Sequence, residues 1–257
     1  MPVSFKGAHF PQEIILMGVR WYVAYPLSYR HVEELMEERG VSVAHATIQR
    51  WVVKYSAQLE KAFHRRKRPV GHSWRMDETS IRVKGEWRYL YRAVDKSGQT
   101  IDFLLTEYRD TEAALRFLTQ AIHRHGVPKK ITIDGSDTNE AAIKRYNEAH
   151  GTAIEIRQVK YLNNVVEQDH RAVKRVTRPM LGFKSFAAAQ ATLGGIELMH
   201  MLKKGNWWER RGQKVSHQPC NSTPWSPNPY PSNALSTIPQ NLRQNRRMCH
   251  GCSSPTS

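Results

Sequence analysis

The stretch that decides the fold runs from residue 74 to residue 106 and reads WRMDETSIRVKGEWRYLYRAVDKSGQTIDFLLT. Residues 74–83, 87–94 and 100–106 are rich in aromatic and β-branched side chains, which is typical of strands. Each gap between them contains a glycine and has the length of a hairpin turn. The sequence therefore predicts three consecutive antiparallel strands.

Downstream of these strands, helical and strand patterns alternate. A helix begins near Asp110 and ends at Gly126, and a short apolar strand, 130–134, follows it. A second helix leads to a strand at 154–159 and then to a last pair of helices. The order predicts an α/β fold with a mixed sheet, three antiparallel strands and then two parallel strands, flanked by helices. This is the strand order of the RNase H-like fold.

Residues 11–63 have helical periodicity and precede the sheet. A second helix is capped by Ser28 and stopped at Gly40, and a third spans 43–55. Because the link between helices two and three is short, they must cross steeply, which predicts an all-α helix-turn-helix module. We expect the third helix to bury Ile48, Trp51 and Val52.

The polar side of the third helix and the basic linker after it, residues 64–70, are candidates for DNA binding. Their side chains can donate hydrogen bonds to phosphates or base edges. The candidates are His45, Thr47, Gln49, Arg50, Lys54, Arg65, Arg66, Lys67 and Arg68. The alternative is that they form only the solvated face and hinge of a small helical domain.

The charge of the whole chain favours a polyanionic partner. The 257 residues include 39 Lys and Arg against 23 Asp and Glu, a formal net charge of +16. A small acidic metabolite would not require so much charge, whereas nucleic acid would. The longest apolar stretch near the start, residues 14–19, is far shorter than the ~20 residues that cross a bilayer. We therefore expect a soluble, intracellular protein with no membrane partner.

Three carboxylates occupy positions that suggest a metal site. Asp77 lies within the first strand, Asp134 at the end of the fourth, and Glu167 at the start of a helix. Right-handed crossovers bring strand ends together, so we expect the three to be neighbours. Converging carboxylates select hard divalent cations, Mg²⁺ or Mn²⁺, and two such ions promote phosphoryl transfer.

The helix of Glu167 has two unlike faces. At 100° per residue, Glu167, His170, Arg171 and Lys174 share one sector, and valines occupy the opposite side. Asp169 falls among the valines, which requires either a buried basic partner or an irregular helix. These residues alone are compatible with three functions. The protein could be a metal nuclease or strand-transfer enzyme, a structure-specific nuclease, or a DNA-binding regulator without catalysis.

Three strings carry a family resemblance: WRMDET at 74–79, YLYRAVD at 89–95 and KYLNNVVEQDH at 160–170. They resemble the DDE transposases of the insertion sequence 6 family, and the likeness covers roughly residues 4–205. The resemblance implies an enzyme of the prokaryotic cytoplasm, associated with the nucleoid. It would bind the terminal inverted repeats of its element, nick these ends and join them to target DNA.

The resemblance also implies roles for particular residues. Asp77, Asp134 and Glu167 match the three catalytic acids, which hold two Mg²⁺ ions, with Mn²⁺ as a substitute. Lys174 matches the basic residue seven positions after the glutamate, and Asp137 is the less favoured second acid. Because two double-stranded DNA ends must be cut and joined together, we expect a homo-oligomer, at least a dimer.

The predicted organisation has five parts. An N-terminal arm, 1–10, precedes the helix-turn-helix domain, 11–63, the basic linker, 64–70, and the RNase H-like DDE domain, 71–204. The remaining residues, 205–257, depart from the family pattern and have the Pro, Ser and Cys content of a disordered tail. Cys249-His250-Gly251-Cys252 could suggest zinc, but the segment offers no scaffold for four ligands.

Overall fold

The computed structural model describes residues 3–207, with the backbone alone at Lys160. Nearly all of the predicted tail, including its Cys-His-Gly-Cys string, lies outside the described residues. The described elements, in chain order, are α1 (Gln12–Ala24), α2 (Tyr29–Glu37), α3 (His45–His64), β1 (Ser73–Val83), β2 (Glu86–Asp95), β3 (Thr100–Thr106), α4 (Thr111–His125), β4 (Lys130–Ile133), α5 (Asp137–His150), β5 (Glu155–Gln158), α6 (Asn164–Thr177) and α7 (Phe186–Lys203).

The five strands form one mixed sheet in the order β3-β2-β1-β4-β5. β2 pairs antiparallel with β1 and with β3, whereas β4 pairs parallel with β1 and with β5. The β1–β2 hairpin turns through Lys84 and Gly85, both with positive φ (52° and 82°), as a tight two-residue turn requires. The RNase H-like α/β prediction is confirmed.

Helices cover both faces of the sheet. On one face, alternate strand residues such as Trp74, Met76 and Tyr91 pack against apolar side chains of α4 and α5. On the other face, Ile81 and Leu90 join side chains from α6 and α7. Asp77 therefore faces the α6 side, while its neighbour Glu78 faces the side of α4 and α5, because successive strand residues point to opposite faces.

The N-terminal region contains the three predicted helices. Ser28 caps α2, since its Oγ accepts a hydrogen bond from the backbone N–H of His31 at 3.1 Å. The predicted inward face of the third helix is confirmed, because Ile48, Trp51 and Val52 are buried. The predicted end of this helix was wrong: α3 continues from residue 55 to His64, because its second half packs against α7.

The packing of α3 on α7 joins the helical region to the sheet. Side chains from α1, α2 and α3 share one hydrophobic cluster with residues of β1, β2, α6 and α7. Gly195 of α7 allows the close approach, since a Cβ there would lie 2.6 Å from the Ser56 Oγ of α3. The boundaries of the functional domains remain a prediction. No helix within residues 3–207 is both long and apolar enough to cross a bilayer.

Candidate active site

The pairing of β1 with β4 brings the first two candidate acids to one level of the sheet. The parallel register matches Trp74 with Ile131 and Arg75 with Thr132. The matched register ends there, and Asp77 and Asp134 each follow the last matched pair by two residues along the chain. Neighbouring strands are ~4.8 Å apart, and matched residues of parallel strands point to the same face. β4 ends at Ile133, so Asp134 is exposed at the carboxyl end of its strand.

Helix α6 meets β1 at the level of Asp77. The ring Nε2 of His170 lies 3.2 Å from Oδ2 of Asp77, and both side chains are largely buried. Just before the helix, the Asn163 side-chain amide donates to the Met76 carbonyl oxygen at 3.4 Å. Glu167 is in the first turn of α6 and is half-buried. It precedes His170 by three residues, which is about 4.5 Å along the helix axis and on the same face.

These contacts bring α6 to the acids without completing a metal cage. Among residues 3–207, no group of three or more His, Cys, Asp or Glu side chains is arranged to hold a metal ion. The strands and the helix that carry the three predicted acids are adjacent. Their carboxylates do not converge on a single metal position. The predicted polar face of α6 needs a correction: Arg171 and Lys174 are exposed, but His170 is buried because it packs against β1 beside Asp77.

A second carboxylate of β1 was missed by sequence reasoning. Glu78 is 3% exposed, and its two oxygens have different partners. Arg109 Nε, from the connection between β3 and α4, lies 2.5 Å from Oε1, and the Asn139 side-chain amide of α5 donates to Oε2 at 2.9 Å. One signal was available: in a strand that alternates faces, Glu78 falls on the side that packs against α4 and α5.

Asp169 has a buried basic partner, Arg92, as its position among the valines required, and two partly buried ones. Its oxygens lie 3.2 Å from Arg92 Nη2 and 3.2 Å from His200 Nε2, and Oδ2 also contacts Lys204 Nζ. Arg92 is fully buried and also pairs with the buried Glu197 of α7, Nε to Oε1 at 2.8 Å. Burial acts to raise the pKa of Asp169, but His200, Arg92 and Lys204 outweigh it and lower the pKa to about 2. The network ties β2, α6 and α7 together.

The polar face of α3 is largely available to a partner. Gln49, Arg50 and Lys54 are exposed, and Thr47 is half-buried. The His45 ring Nδ1 lies 2.9 Å from Glu33 Oε2 of α2, so this side chain also braces the two helices. The predicted DNA-binding face therefore remains accessible along most of its length.

The basic linker is only partly exposed. Arg65, Arg66 and Arg68 are exposed, but Lys67 turns inward, and its prediction as a residue along a phosphate backbone needs a correction. Lys67 Nζ donates to the Ile101 carbonyl oxygen and lies 3.4 Å from His125 Nε2. Burial lowers its pKa to about 8. This stretch also bridges to Trp207, so it is held against the body of the protein.

A basic and aromatic groove lies at the far end of α6. Lys174 and Arg178 line it together with Trp87, which is 58% exposed at the tip of the β1–β2 hairpin. The Arg82 guanidinium lies 5.9 Å from the Trp87 ring centroid. The groove has the charge and aromatic content that suit nucleic acid.

Comparisons with known sequences find a family model and close relatives in bacteria. A family model described as a DDE domain, DDE_Tnp_IS240, matches residues 71–206. The transposase for insertion sequence-like element IS431mec of Staphylococcus aureus strain Mu50 is 37% identical over 224 residues, covering 84% of this chain and 95% of the relative. The transposase of insertion sequence element IS257 in transposon Tn4003, also from Staphylococcus aureus, matches with the same identity and coverage.

Solved structures include more distant similarities. The HTLV-2 integrase catalytic core domain in complex with magnesium, in its trimeric form, is 17% identical with a TM-score of 0.40, covering 51% of this chain and 86% of that chain. The catalytic core domain of BIV integrase is 19% identical with a TM-score of 0.37, covering 48% and 82%. The family match and the 37% identical relatives decide the assignment: the chain belongs to the DDE domain family of insertion sequence 6 transposases.

Proposed function

We propose that this DDE transposase binds the terminal inverted repeats of an insertion sequence, cleaves the DNA strands there and joins them to target DNA. In this proposal Asp77, Asp134 and Glu167 are the catalytic acids. The family assignment supplies the reaction class, and the parallel register between β1 and β4 is the observation that carries the choice of acids. That register supports Asp77 and Asp134 as a pair, since each follows the last matched residues, Arg75 and Thr132, by two positions.

Helix α6 supports the choice of Glu167 as third acid. The His170–Asp77 contact, 3.2 Å, holds one side of the helix at the first acid, and Glu167 lies one turn earlier on that side. The buried network of Arg92 and Asp169 anchors the next position of α6 to β2 and α7, since Arg92 lies opposite Asp77 in the β1–β2 register. The helix is therefore held against the sheet at two consecutive positions, one turn after Glu167.

The donor set fits divalent metal ions. Asp77, Asp134 and Glu167 offer hard carboxylate oxygens, the ligands that Mg²⁺ and Mn²⁺ prefer. When bound, two such ions would favour attack by a water or a 3′-hydroxyl on a phosphodiester and stabilise the leaving oxygen. The protein's own part is to fix the carboxylates on rigid strands and to hold the DNA in line. No covalent intermediate with the protein is required.

End recognition is assigned to the exposed face of α3. Gln49 and Arg50 can read base edges, while Lys54 and the exposed arginines of the linker hold phosphates. Exposed Arg171 and Lys174 of α6 would hold DNA near the acids. Two element ends must be handled in one complex, so the active form is proposed to be a homo-oligomer, at least a dimer, with double-stranded end and target DNA.

The test compares isosteric variants of the three acids on DNA that carries the element's flanking repeats. Asp77→Asn, Asp134→Asn and Glu167→Gln should each lose Mg²⁺-dependent strand cleavage and keep end binding. Asp137→Asn is the matched control, since Asp137 is an exposed acid three residues after Asp134. It should cleave like the wild type.

Each of the other outcomes has a clear meaning. Cleavage by any of the three variants at the wild-type rate removes that residue from the site. Specific binding with no Mg²⁺-dependent cleavage in the wild type would instead indicate a DNA-binding regulator. Cleavage of branched DNA regardless of its end sequence would indicate a structure-specific nuclease.

A further inference from the structure

The far end of β1 leaves an opening beside the candidate acids. β4 pairs with β1 only at Ser73, Trp74 and Arg75, whereas β1 continues to Val83. At the level of Asp77 and Glu78, β1 therefore has no neighbouring strand on the β4 side. Side chains from both faces of the sheet can meet at this place.

At this opening the Glu78 carboxylate forms an ion pair with Arg109. It is 3% exposed and contacts Arg109 Nε at 2.5 Å, while Asn139 donates to its other oxygen at 2.9 Å. Asn139 is in the first turn of α5, three residues after the loop 134–136 that begins with Asp134. The carboxylate thus links β1, the Asp134 loop with its helix, and the connection that carries Arg109.

The backbone of that connection is held at both ends. Thr106 Oγ1 donates to the Tyr108 carbonyl oxygen at 2.9 Å, and Asp110 caps α4 by accepting from the Ala113 N–H at 2.7 Å. Arg109 lies between these two anchors. Its guanidinium is therefore preorganised, although the side chain is 49% exposed.

The carboxylates around Arg109 stabilise the positive charge of its guanidinium. Burial acts to lower the pKa of Arg109, but the carboxylate of Glu78, and with a smaller effect that of Asp134, outweighs burial and raises it. Asp77, Asp134, Glu167 and Glu78 together would repel an approaching phosphate. A guanidinium has five donors in a planar fork that matches phosphate oxygens, and the contact with Glu78 Oε1 is made through Nε.

We infer that Arg109 binds a DNA phosphate beside the catalytic acids and that Glu78 and Asn139 are positioning residues for its guanidinium. The inference rests on the proposed function, because it assumes that DNA enters at Asp77 and Asp134. It adds a phosphate-binding residue at a position that neither the charge pattern nor the motif strings singled out.

The first measurement is strand cleavage by full-length Arg109→Gln on end DNA. Loss of a charge-assisted phosphate contact should slow cleavage about 10- to 100-fold. The matched control is Arg145→Gln, since Arg145 is a similarly exposed arginine that pairs with a glutamate, Glu112, on the outer surface of α4 and α5. It should cleave like the wild type. Equal losses in the two variants would overturn the inference.

The second measurement separates a phosphate contact from a structural ion pair. Single phosphates flanking the scissile bond are replaced, one at a time, by uncharged methylphosphonate. At one position the wild type should slow to the rate of Arg109→Gln, and Arg109→Gln should slow no further, because the same contact is already lost. If Arg109→Gln lowers the rate by the same factor on every substituted DNA, the inference is wrong.

Two more variants keep the inference testable if Arg109→Gln does not fold. Arg109→Lys keeps a point charge without the fork, and it should show the same phosphate dependence with a smaller loss. Glu78→Gln should slow cleavage in the wild-type background and have little effect in Arg109→Gln, since it acts through the arginine. An equal loss in both backgrounds would contradict the positioning role. If the wild type cleaves normally and Asp77→Asn does not, the proposed function is supported. That conclusion does not depend on the result for Arg109.

Discussion

The imidazole Nε2 of His170 lies 3.2 Å from Oδ2 of Asp77, so the helix that carries Glu167 contacts the strand that carries the first candidate acid. Both side chains are largely buried, and one oxygen of Asp77 remains for another ligand. The contact constrains the orientation of the carboxylate and the position of α6 at the same time. Residues that orient a ligand in this way have measurable effects on metal affinity.

We expect His170→Ala to raise the Mg²⁺ concentration required for half-maximal cleavage, by about 10- to 100-fold, because Asp77 loses the group that orients it. A Mg²⁺ titration of strand cleavage measures this. Gln168→Ala is the control, since Gln168 is an exposed residue of the same helix. A loss of rate at every Mg²⁺ concentration, with an unchanged midpoint, would show that His170 only supports the fold.

Arg92→Met should be strongly destabilising, by about 3–5 kcal/mol in the free energy of unfolding, because the variant leaves the buried carboxylates of Asp169 and Glu197 without a fully buried partner. Denaturant titration measures the change. Arg88 is on the same strand, and its partner Glu86 is exposed. Arg88→Met should therefore lower the free energy of unfolding by less than about 1 kcal/mol. The prediction fails if the two variants are equally stable.

The free energy of unfolding should decrease at acid pH, and the protonation of His125 should contribute to this decrease. Burial, and then the neighbouring charges of Lys67, His64 and Arg124, lower the pKa of His125 to about 3. The folded state therefore keeps this ring neutral in a pH range where the unfolded chain binds a proton, so unfolding becomes easier as the pH falls from about 6.5 toward 3. Above about pH 6.5 the group contributes no pH dependence.

The measurement is the free energy of unfolding between about pH 7 and pH 5, above the range in which Asp169 titrates. His125→Gln should flatten the decline relative to the wild type. His123→Gln, an exposed histidine of the same helix, is the control. A decline of equal slope in wild type and His125→Gln would contradict the assignment.

Arg50→Ala should weaken binding to the proper DNA end more than binding to random duplex, by about 1–3 kcal/mol, because Arg50 is exposed on α3 where a base contact is proposed. Competition binding at fixed salt concentration measures both affinities. Lys61→Ala, an exposed residue farther along the same helix, should leave the preference unchanged. Uniform loss on both DNAs would make Arg50 a phosphate contact.

Much of the architecture is encoded locally. The hairpin at Lys84 and Gly85, the cap at Ser28 and the helix end at Gly126 are decided by backbone preferences of a few residues. Strand and helix periodicities are likewise local, so element order and the mixed sheet could be predicted. The positions of Asp77 and Asp134 followed from the same patterns.

Other features depend on distant partners. The extension of α3 to His64 requires the surface of α7, including Gly195, and the inward turn of Lys67 requires the Ile101 carbonyl and His125. Helical periodicity continues to residue 63, but it does not identify α7 as the partner of α3, and nothing local indicates that Lys67 turns inward. They could not be predicted, because burial and helix length were decided by packing between segments far apart in the chain.

The amino-acid sequence by itself determined the strands, the turns, the basic character and the placement of three acids on particular elements, since each depends on neighbouring residues. Only the tertiary structure decided that Arg92 neutralises Asp169, 77 positions away, and that Glu78 holds Arg109 at the open end of β1. Pairings of this kind depend on which side chains are desolvated together, and desolvation is a property of the packed molecule.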